Sequence, residues 1–267
     1  MAANAIQAGR IKGQASTAAK AGDHIAVWFS CGAASAVAAK KTLELYPDCM
    51  ISVLNNYIAE EHEDNRRFLN DVADWLGVNI EDVRSKKYPN QSCVEVWEDR
   101  KYMSGVAGAP CTGELKKKAR QEWEAENKPD WTVLGFTVEE KGRHARFVMN
   151  ERDTVIPVLI DLNISKAECY QIISEAGIKL PEIYRLGYPN ANCIGCVKAQ
   201  SPTYWNHVRK VHPEIFEQRA EQSRRLGARL VRVGGERLFL DELSEHAYGA
   251  PMKDMDFECG LFCEERE

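Results

Sequence analysis

Five apolar residues, Ile25-Ala-Val-Trp-Phe29, run without a break into six small ones, Ser30-Cys-Gly-Ala-Ala-Ser35. That junction constrains the fold more than any other feature of the chain. An apolar run this short, rich in β-branched and aromatic residues and bounded by small ones, predicts a buried strand. The small residues let backbone approach a ligand closely. From about Ser35 to Tyr46 the positions of Val37, Leu43 and Leu45 predict a helix. A strand that turns directly into a helix leaves free N–H groups at a positive helix end, a setting that favours an anion. Taken alone, the turn serves phosphate binding or plain helix–strand packing equally well. It matches neither G-x-x-x-x-G-K-[ST] nor G-x-G-x-x-G, which argues against a Walker-type NTPase and against a dinucleotide site.

The next segments repeat the alternation. Ile51-Ser-Val-Leu54 reads as a second strand, and residues 64–76 carry Phe68, Leu69, Val72, Ala73 and Leu76 at helical spacing. Trp131-Thr-Val-Leu134 and Val155-Ile-Pro-Val-Leu159 read as further strands. Ser165 with Glu168 forms a capping box ahead of an apolar stripe at Ile172, Ile173 and Ala176. Strands alternating with helices predict an α/β fold, a mainly parallel twisted sheet with helices on both faces. Beyond about residue 190 the character changes. A helix-rich stretch at 203–226 is followed by a hairpin, Leu230-Val-Arg-Val233 and Leu238-Phe-Leu240 about Gly234-Gly235. The expected organisation is a mobile leader at 1–22, a nucleotide-binding core at 23–190 and a cysteine-containing C-terminal extension at 191–267 packed on the core.

At 267 residues the chain can bury a full core without disulfides. Its net charge of −5 excludes a strongly basic binder, though not a local basic face. Residues 201–240 carry eight basic and four acidic side chains, whereas the segment from Asp241 onward carries nine acidic and two basic ones. No apolar run approaches the roughly 20 residues of a membrane span, and the N-terminus lacks a signal-peptide core, so a cytoplasmic protein without a membrane partner is expected. Lys116, Lys117, Lys118 and Arg120 form a basic run that reads first as a solvated helix face. Arg143, His144 and Arg146 read as a loop beyond a strand end, where α/β folds gather ligand contacts. Arg143 and Arg146 are the candidate phosphate contacts, and His144 is read as a surface histidine.

Nine cysteines in a chain of this size point to metal or redox chemistry rather than a disulfide framework. Cys193 and Cys196 form a C-x-x-C, Cys259 and Cys263 a C-x-x-x-C, and Cys111 follows a Gly-Ala-Pro turn. Cys31, Cys49, Cys93 and Cys169 lack such spacing. Soft thiolates suit an iron–sulfur cluster or Zn²⁺. A structural zinc site of Cys193, Cys196, Cys259 and Cys263 is the plainer alternative, and unmetallated thiols a third.

Several elements, in order, carry a family resemblance. Ser30-Cys-Gly-Ala-Ala-Ser35 resembles the S-G-G-K-D-S pyrophosphate loop of the adenine-nucleotide α-hydrolase (PP-loop) superfamily, in its phosphoadenosine phosphosulfate (PAPS) reductase-like branch. Pro110-Cys-Thr-Gly-Glu-Leu-Lys116 is similar to that branch's C-T-x-x-L-K element, and Gly135 through Arg146 to its G-x-R-x-x-E-S segment. Pro157 to Asp161, then Pro181 to Tyr184 and Gly187, follow its P-L-x-D and P-x-x-Y-x-x-G stretches. Asn192-Cys-Ile-Gly-Cys196 resembles its second cysteine element, and Glu258-Cys-Gly-Leu261 the reductases' E-C-G-L-H tail. Ala33 and Ala34 stand where the family has Lys and Asp, and Phe262 where the reductases have His.

The resemblance implies a Rossmann-like PP-loop core and an ATP pyrophosphatase that adenylates an acceptor oxygen for sulfur transfer, closest in kind to the DNA phosphorothioation enzymes. It implies ATP on Ser30, Cys31, Gly32, Ala33, Ala34, Ser35 and Gly135, with Mg²⁺, and catalytic contacts from Ser30, Ser35, Arg143 and Arg146. A [4Fe–4S] cluster, with Zn²⁺ as alternative, falls to Cys111, Cys193 and Cys196, the last site going to Cys263 or Cys259 or standing open for sulfide. The implied partners are a cysteine desulfurase or other sulfur donor, and DNA or tRNA as acceptor through partner proteins. The alternatives are a thioredoxin-dependent sulfonucleotide reductase with Cys259 as nucleophile, a tRNA thiolation enzyme, and a nucleotide-binding subunit that no longer hydrolyses anything.

Overall fold

The computed structural model describes residues 19–105 and 108–252. Most of the expected leader, and both Cys259 and Cys263, lie outside the described residues.

The chain opens with strand β1 (His24–Phe29), helix α1 (Ala33–Leu45), β2 (Met50–Asn55), α2 (Asp64–Leu76) and β3 (Ile80–Asp82). Helix α3 (Cys93–Arg100) and a π-helical turn (Thr112–Lys117) lead into α4 (Lys118–Asn127) and β4 (Trp131–Val133). Then come α5 (Lys141–Asn150), β5 (Val155–Ile156), α6 (Val158–Asp161), α7 (Lys166–Glu175) and α8 (Glu182–Arg185). The described chain finishes with α9 (Pro202–Val211), α10 (Pro213–Arg225) and a hairpin of β6 (Val231–Val233) and β7 (Glu236–Leu238).

Five strands form one sheet in the order β3-β2-β1-β4-β5, every pair parallel. β1 is central and buried throughout. Its side chains alternate between two cores, as the period of a strand requires. Ile25, Val27 and Phe29 pack with α1, α2 and α7, while Ala26 and Trp28 pack with Trp123 of α4 and Phe147 of α5. Helices therefore cover both faces, as the alternating pattern predicts. The chain leaves β1 toward β2 on one side and returns through β4 on the other. This reversal opens a crevice at the carboxyl ends of β1 and β4, the place where such sheets bind ligands.

A third core joins distant parts of the sequence. Ile58, Cys93, Trp97, Cys111 and Leu115 pack with Ile183, Cys193, Cys196, Tyr204, Trp205 and Phe216. Residues beyond 190 are thus held by the segment between β3 and α4.

Several expectations need correction. The strand expected over 155–159 ends at Ile156, because Pro157 lacks the N–H a ladder needs, and residues from Val158 form the short α6. The helical stretch expected over 203–226 is two helices, with a break at His212 where Pro213 opens the second. The hairpin forms about Gly234 and Gly235, both at positive φ (57° and 92°) as a two-residue turn of this hand requires. Its second strand is Glu236–Leu238 rather than 238–240. The Ser165–Glu168 capping box is present, with the Glu168 N–H donating to Ser165 Oγ at 3.2 Å and the Ser165 N–H to Glu168 Oε2 at 2.7 Å. Among the described residues no helix is long and apolar enough to cross a membrane.

Candidate functional site

The loop from Ser30 to Ser35 sits between the end of β1 and the N-terminus of α1. It is held by its own side chains. The Ser35 hydroxyl accepts from the Ser30 N–H at 3.1 Å, donates to the Gly32 carbonyl at 2.9 Å and lies 3.2 Å from the Ser30 hydroxyl. Cys31 takes a left-handed conformation (φ 54°), which costs an L-residue of this type about 1–2 kcal/mol. Asn55, the last residue of β2, steadies it by donating to the Phe29 carbonyl at 2.9 Å and to Cys31 Sγ at 3.5 Å. Burial pushes the Cys31 thiol well up, so it stays neutral. The Tyr184 hydroxyl faces the Ala33 N–H.

Gly135, just beyond β4, meets this loop across the crevice. A Cβ there would stand 2.7 Å from the Ser35 nitrogen and 2.9 Å from its Cα. Only glycine permits that approach, so the structure brings Gly135 against Ser35, two of the residues the sequence singled out. Arg143 and Arg146 lie on α5 rather than in a loop. Arg143 pairs with Glu140 at 2.6 Å and stacks over Phe136 at 5.0 Å, beside Gly135, while Arg146 is exposed. His144 is half-buried and is not a plain surface histidine. Burial lowers its pKa, which keeps the ring neutral.

Next to the loop is a cavity of about 160 Å³ lined by Cys31, Asn55, Tyr57, Glu61, His62 and Arg66, among others. Arg66 grips Asp82 through two hydrogen bonds of 2.9 and 3.1 Å and stacks on Tyr57. Burial raises the pKa of Glu61, against the opposing pull of Lys116 at 3.7 Å and of the Asn65 amide at 3.1 Å. The basic run expected to be a solvated face is therefore split. Lys117 and Lys118 look outward, whereas Lys116 and Arg120 are buried, Lys116 beside Glu61 and Arg120 against Glu124 at 2.8 Å.

Cys111, Cys193 and Cys196 come together in the third core, although over eighty residues separate the first from the pair. Cys93, which has no motif spacing, joins them. Its thiol lies near those of Cys111 and Cys193, which push its pKa up. The Ser92-x-x-Glu95 cap at the start of α3 was the available signal for a helix there, but it says nothing about sulfur. Glu60 ties this cluster to the cavity wall. Its carboxylate accepts from Ser92 Oγ at 2.7 Å and the Cys93 N–H at 2.8 Å, and its carbonyl accepts from the Ile194 N–H at 3.0 Å. Between the paired cysteines, Gly195 has φ 69° and little room for a Cβ, with Ile215 Cγ2 at 3.1 Å and Arg219 Cγ at 3.2 Å from where one would stand. Gly195→Ala is expected to cost about 1–3 kcal/mol in urea unfolding. An unchanged midpoint would mean the turn between the cysteines is not held this way.

Sulfur donors in an apolar setting suit an iron–sulfur cluster or zinc. The buried Trp97 indole N–H lies toward Cys111 without closing a hydrogen bond to it. On donor chemistry the residues fit either group. Among the described residues no three such side chains are placed to hold a metal ion together.

The Cys93 thiol is held protonated by the neighbouring Cys111 and Cys193 thiols. The Cys111 thiol is lowered to about 7 by Cys93 first, then by Trp97, Lys198 and Lys116, against burial. A depressed acid stabilises the folded state above its unfolded pKa and loses that contribution as pH falls through the folded one. In metal-free protein the stability difference between wild type and Cys111→Ser should thus grow from about pH 7 to pH 9. Urea unfolding with a chelator checks this, and a flat difference would contradict it.

No family model matches the chain, and no curated protein matches it. Among solved structures it is similar to "U34-tRNA thiolase NcsA from Methanococcus maripaludis with its [4Fe-4S] cluster", with a TM-score of 0.45 and 13% identity, over 92% of this chain and 84% of that one.

Proposed function

We propose that the chain is a PP-loop ATP pyrophosphatase that adenylates an acceptor oxygen for sulfur transfer, in DNA phosphorothioation. The observation that carries this reading is the junction at Glu60, which joins the wall of the cavity beside the Ser30–Ser35 loop to the buried cysteines. An activating site and a sulfur-handling site in one reaction need to be neighbours.

In this reading the acceptor oxygen attacks the α-phosphorus of ATP, and pyrophosphate leaves onto the N–H groups between Gly32 and Ser35 at the start of α1. The reaction rests chiefly on positioning and charge neutralisation. Ser35 shapes the loop through its three contacts, and Ser30 presents an exposed hydroxyl beside it. Arg143, oriented by Glu140 and Phe136, contacts the polyphosphate, with Arg146 one turn further along α5. The loop has no lysine of its own, so these arginines are its cationic complement. Bound Mg²⁺ would supply further neutralisation. Cys111, Cys193 and Cys196 would hold a [4Fe–4S] cluster, or zinc, whose chemistry is to bind sulfur.

Substrate choice tests the reading against sulfonucleotide reduction. Purified protein with DNA or tRNA present is expected to release pyrophosphate from ATP, and no sulfite from PAPS or adenylyl sulfate with thioredoxin. Sulfite release that vanishes in Cys259→Ser would replace this reading with the reductase.

A further inference from the structure

We propose that Tyr184 supplies a third hydroxyl to the Ser30–Ser35 loop and donates a hydrogen bond to the pyrophosphate that leaves ATP. This rests on the reading of the loop as a pyrophosphate site. It goes beyond the sequence motifs, in which Tyr184 has no contact with the loop.

The hydroxyls converge at Gly32, the N-cap of α1. A Cβ added there would stand 3.4 Å from the Tyr184 hydroxyl oxygen, 3.8 Å from Ser30 Oγ and 4.0 Å from Ser35 Oγ. Three hydroxyl oxygens, from residues up to 154 positions apart, therefore surround one point beside the start of a helix. The two serine oxygens lie 3.2 Å apart. Gly32 has no side chain to fill the space among them, so the hydroxyls and the helix end are left to a ligand.

Tyr184 sits on α8, a single turn that could not hold a side chain in place by itself. Its neighbours hold it. At the start of α8 the Glu182 N–H donates to Asp64 Oδ2 at 2.7 Å. Arg67 grips the same carboxylate at 2.7 and 2.8 Å and donates to the carbonyls of Lys179 and Leu180 at 2.9 and 3.2 Å. Beyond its end, His207 Nε2 donates to the Leu186 carbonyl at 2.8 Å. Gly187, at φ 87°, lies so close that a Cβ would stand 3.1 Å from His207 Cε1. Helices α2 and α9 thus clamp α8 from both sides, while the Tyr184 ring packs edge-on to Tyr170 at 5.8 Å. Packing of the ring explains its place in the fold, but it does not require a hydroxyl aimed at Gly32.

The chemistry gives that hydroxyl a task. As the acceptor oxygen bonds to the α-phosphorus, the bond from that phosphorus to the bridging oxygen breaks, and its electron pair stays on pyrophosphate. Donors already aimed at this growing charge favour the step without reorganising. A phenol stays protonated near neutral pH, so Tyr184 shares its proton and does not transfer it. The loop has no lysine, which leaves hydroxyls and N–H groups as its own donors.

The test uses full-length protein, with pyrophosphate alone as the first probe. Tyr184→Phe keeps the ring against Tyr170 and removes only the hydroxyl. It is expected to weaken calorimetric pyrophosphate binding about tenfold and to lower kcat for AMP formation about 10- to 100-fold, as loss of a hydrogen bond to a charged group does. Its thermal midpoint should stay in place, and Tyr170→Phe should change neither readout. In wild type, saturating pyrophosphate should slow nitration of Tyr184 by tetranitromethane, read by mass spectrometry, and equal nitration would overturn the proposal. Unchanged binding and turnover in Tyr184→Phe, with both lost in the Ser30→Ala, Ser35→Ala variant, would overturn the role of Tyr184 and leave the loop assignment intact. Tighter pyrophosphate binding in Tyr184→Phe would overturn it too, because the hydroxyl would then obstruct the loop. Wild type that neither binds pyrophosphate nor forms AMP would overturn the loop assignment and the inference with it.

Discussion

Gly135→Ala is expected to cut pyrophosphate release from ATP about 100-fold, since displacing reacting groups by an ångström has effects of that size. The added methyl group would stand 2.7 Å from the Ser35 nitrogen and 2.9 Å from its Cα, both backbone atoms that cannot rotate away. Either the strand end carrying Gly135 retreats or the loop does. The first moves Phe136 and the Arg143 stacked on it, and the second breaks the Ser35 contacts to Ser30 and Gly32. Gly113→Ala is the control, because its Cβ would meet nothing within 4 Å. Near-wild-type turnover in Gly135→Ala would mean that the crevice between β1 and β4 is not the reacting site.

Ser30→Ala combined with Ser35→Ala is expected to abolish ATP turnover while the secondary structure survives. The Ser35 hydroxyl makes three contacts that give the loop its shape, and each such bond contributes about 0.5–1.5 kcal/mol. Losing them affects the loop far more than the protein, because β1 and α1 are held by the two cores flanking the sheet. Circular dichroism with pyrophosphate release separates the two effects. Undiminished release in a folded double variant would sink the assignment of the loop.

The sheet was legible because burial alone dictates it. Ile25-Ala-Val-Trp-Phe29 is apolar at each position, as a central strand needs, and the stripe at Phe68, Leu69 and Val72 faces that strand's side of the sheet. β3 escaped notice because three residues, Ile80-Glu-Asp82, carry no pattern, and only pairing with β2 makes them a strand. Val158 and Leu159 looked like strand residues for the same apolar reason, and Pro157 redirected them. The loop glycine and serines were visible from their place between strand and helix.

Cys93 and Glu60 were not visible, and the reason is instructive. Cysteine spacing is a local code, and it singles out Cys193 and Cys196. Cys93 reaches them only through tertiary packing of α3 against the C-terminal elements. Likewise Lys116 belongs to a charge run whose exposure a helical period alone cannot decide. Its burial depends on Glu61, fifty-five positions away.

The central claim is that ATP is split between its α- and β-phosphates at the Ser30–Ser35 loop. Chromatographic identification of the adenosine product tests it most directly, with ATP, Mg²⁺, a sulfur donor and mixed DNA and tRNA supplied to the anaerobically purified protein. The account predicts AMP and an equal amount of pyrophosphate, both lost in the Ser30→Ala, Ser35→Ala variant. ADP with inorganic phosphate, or AMP formed equally well by that variant, would contradict it.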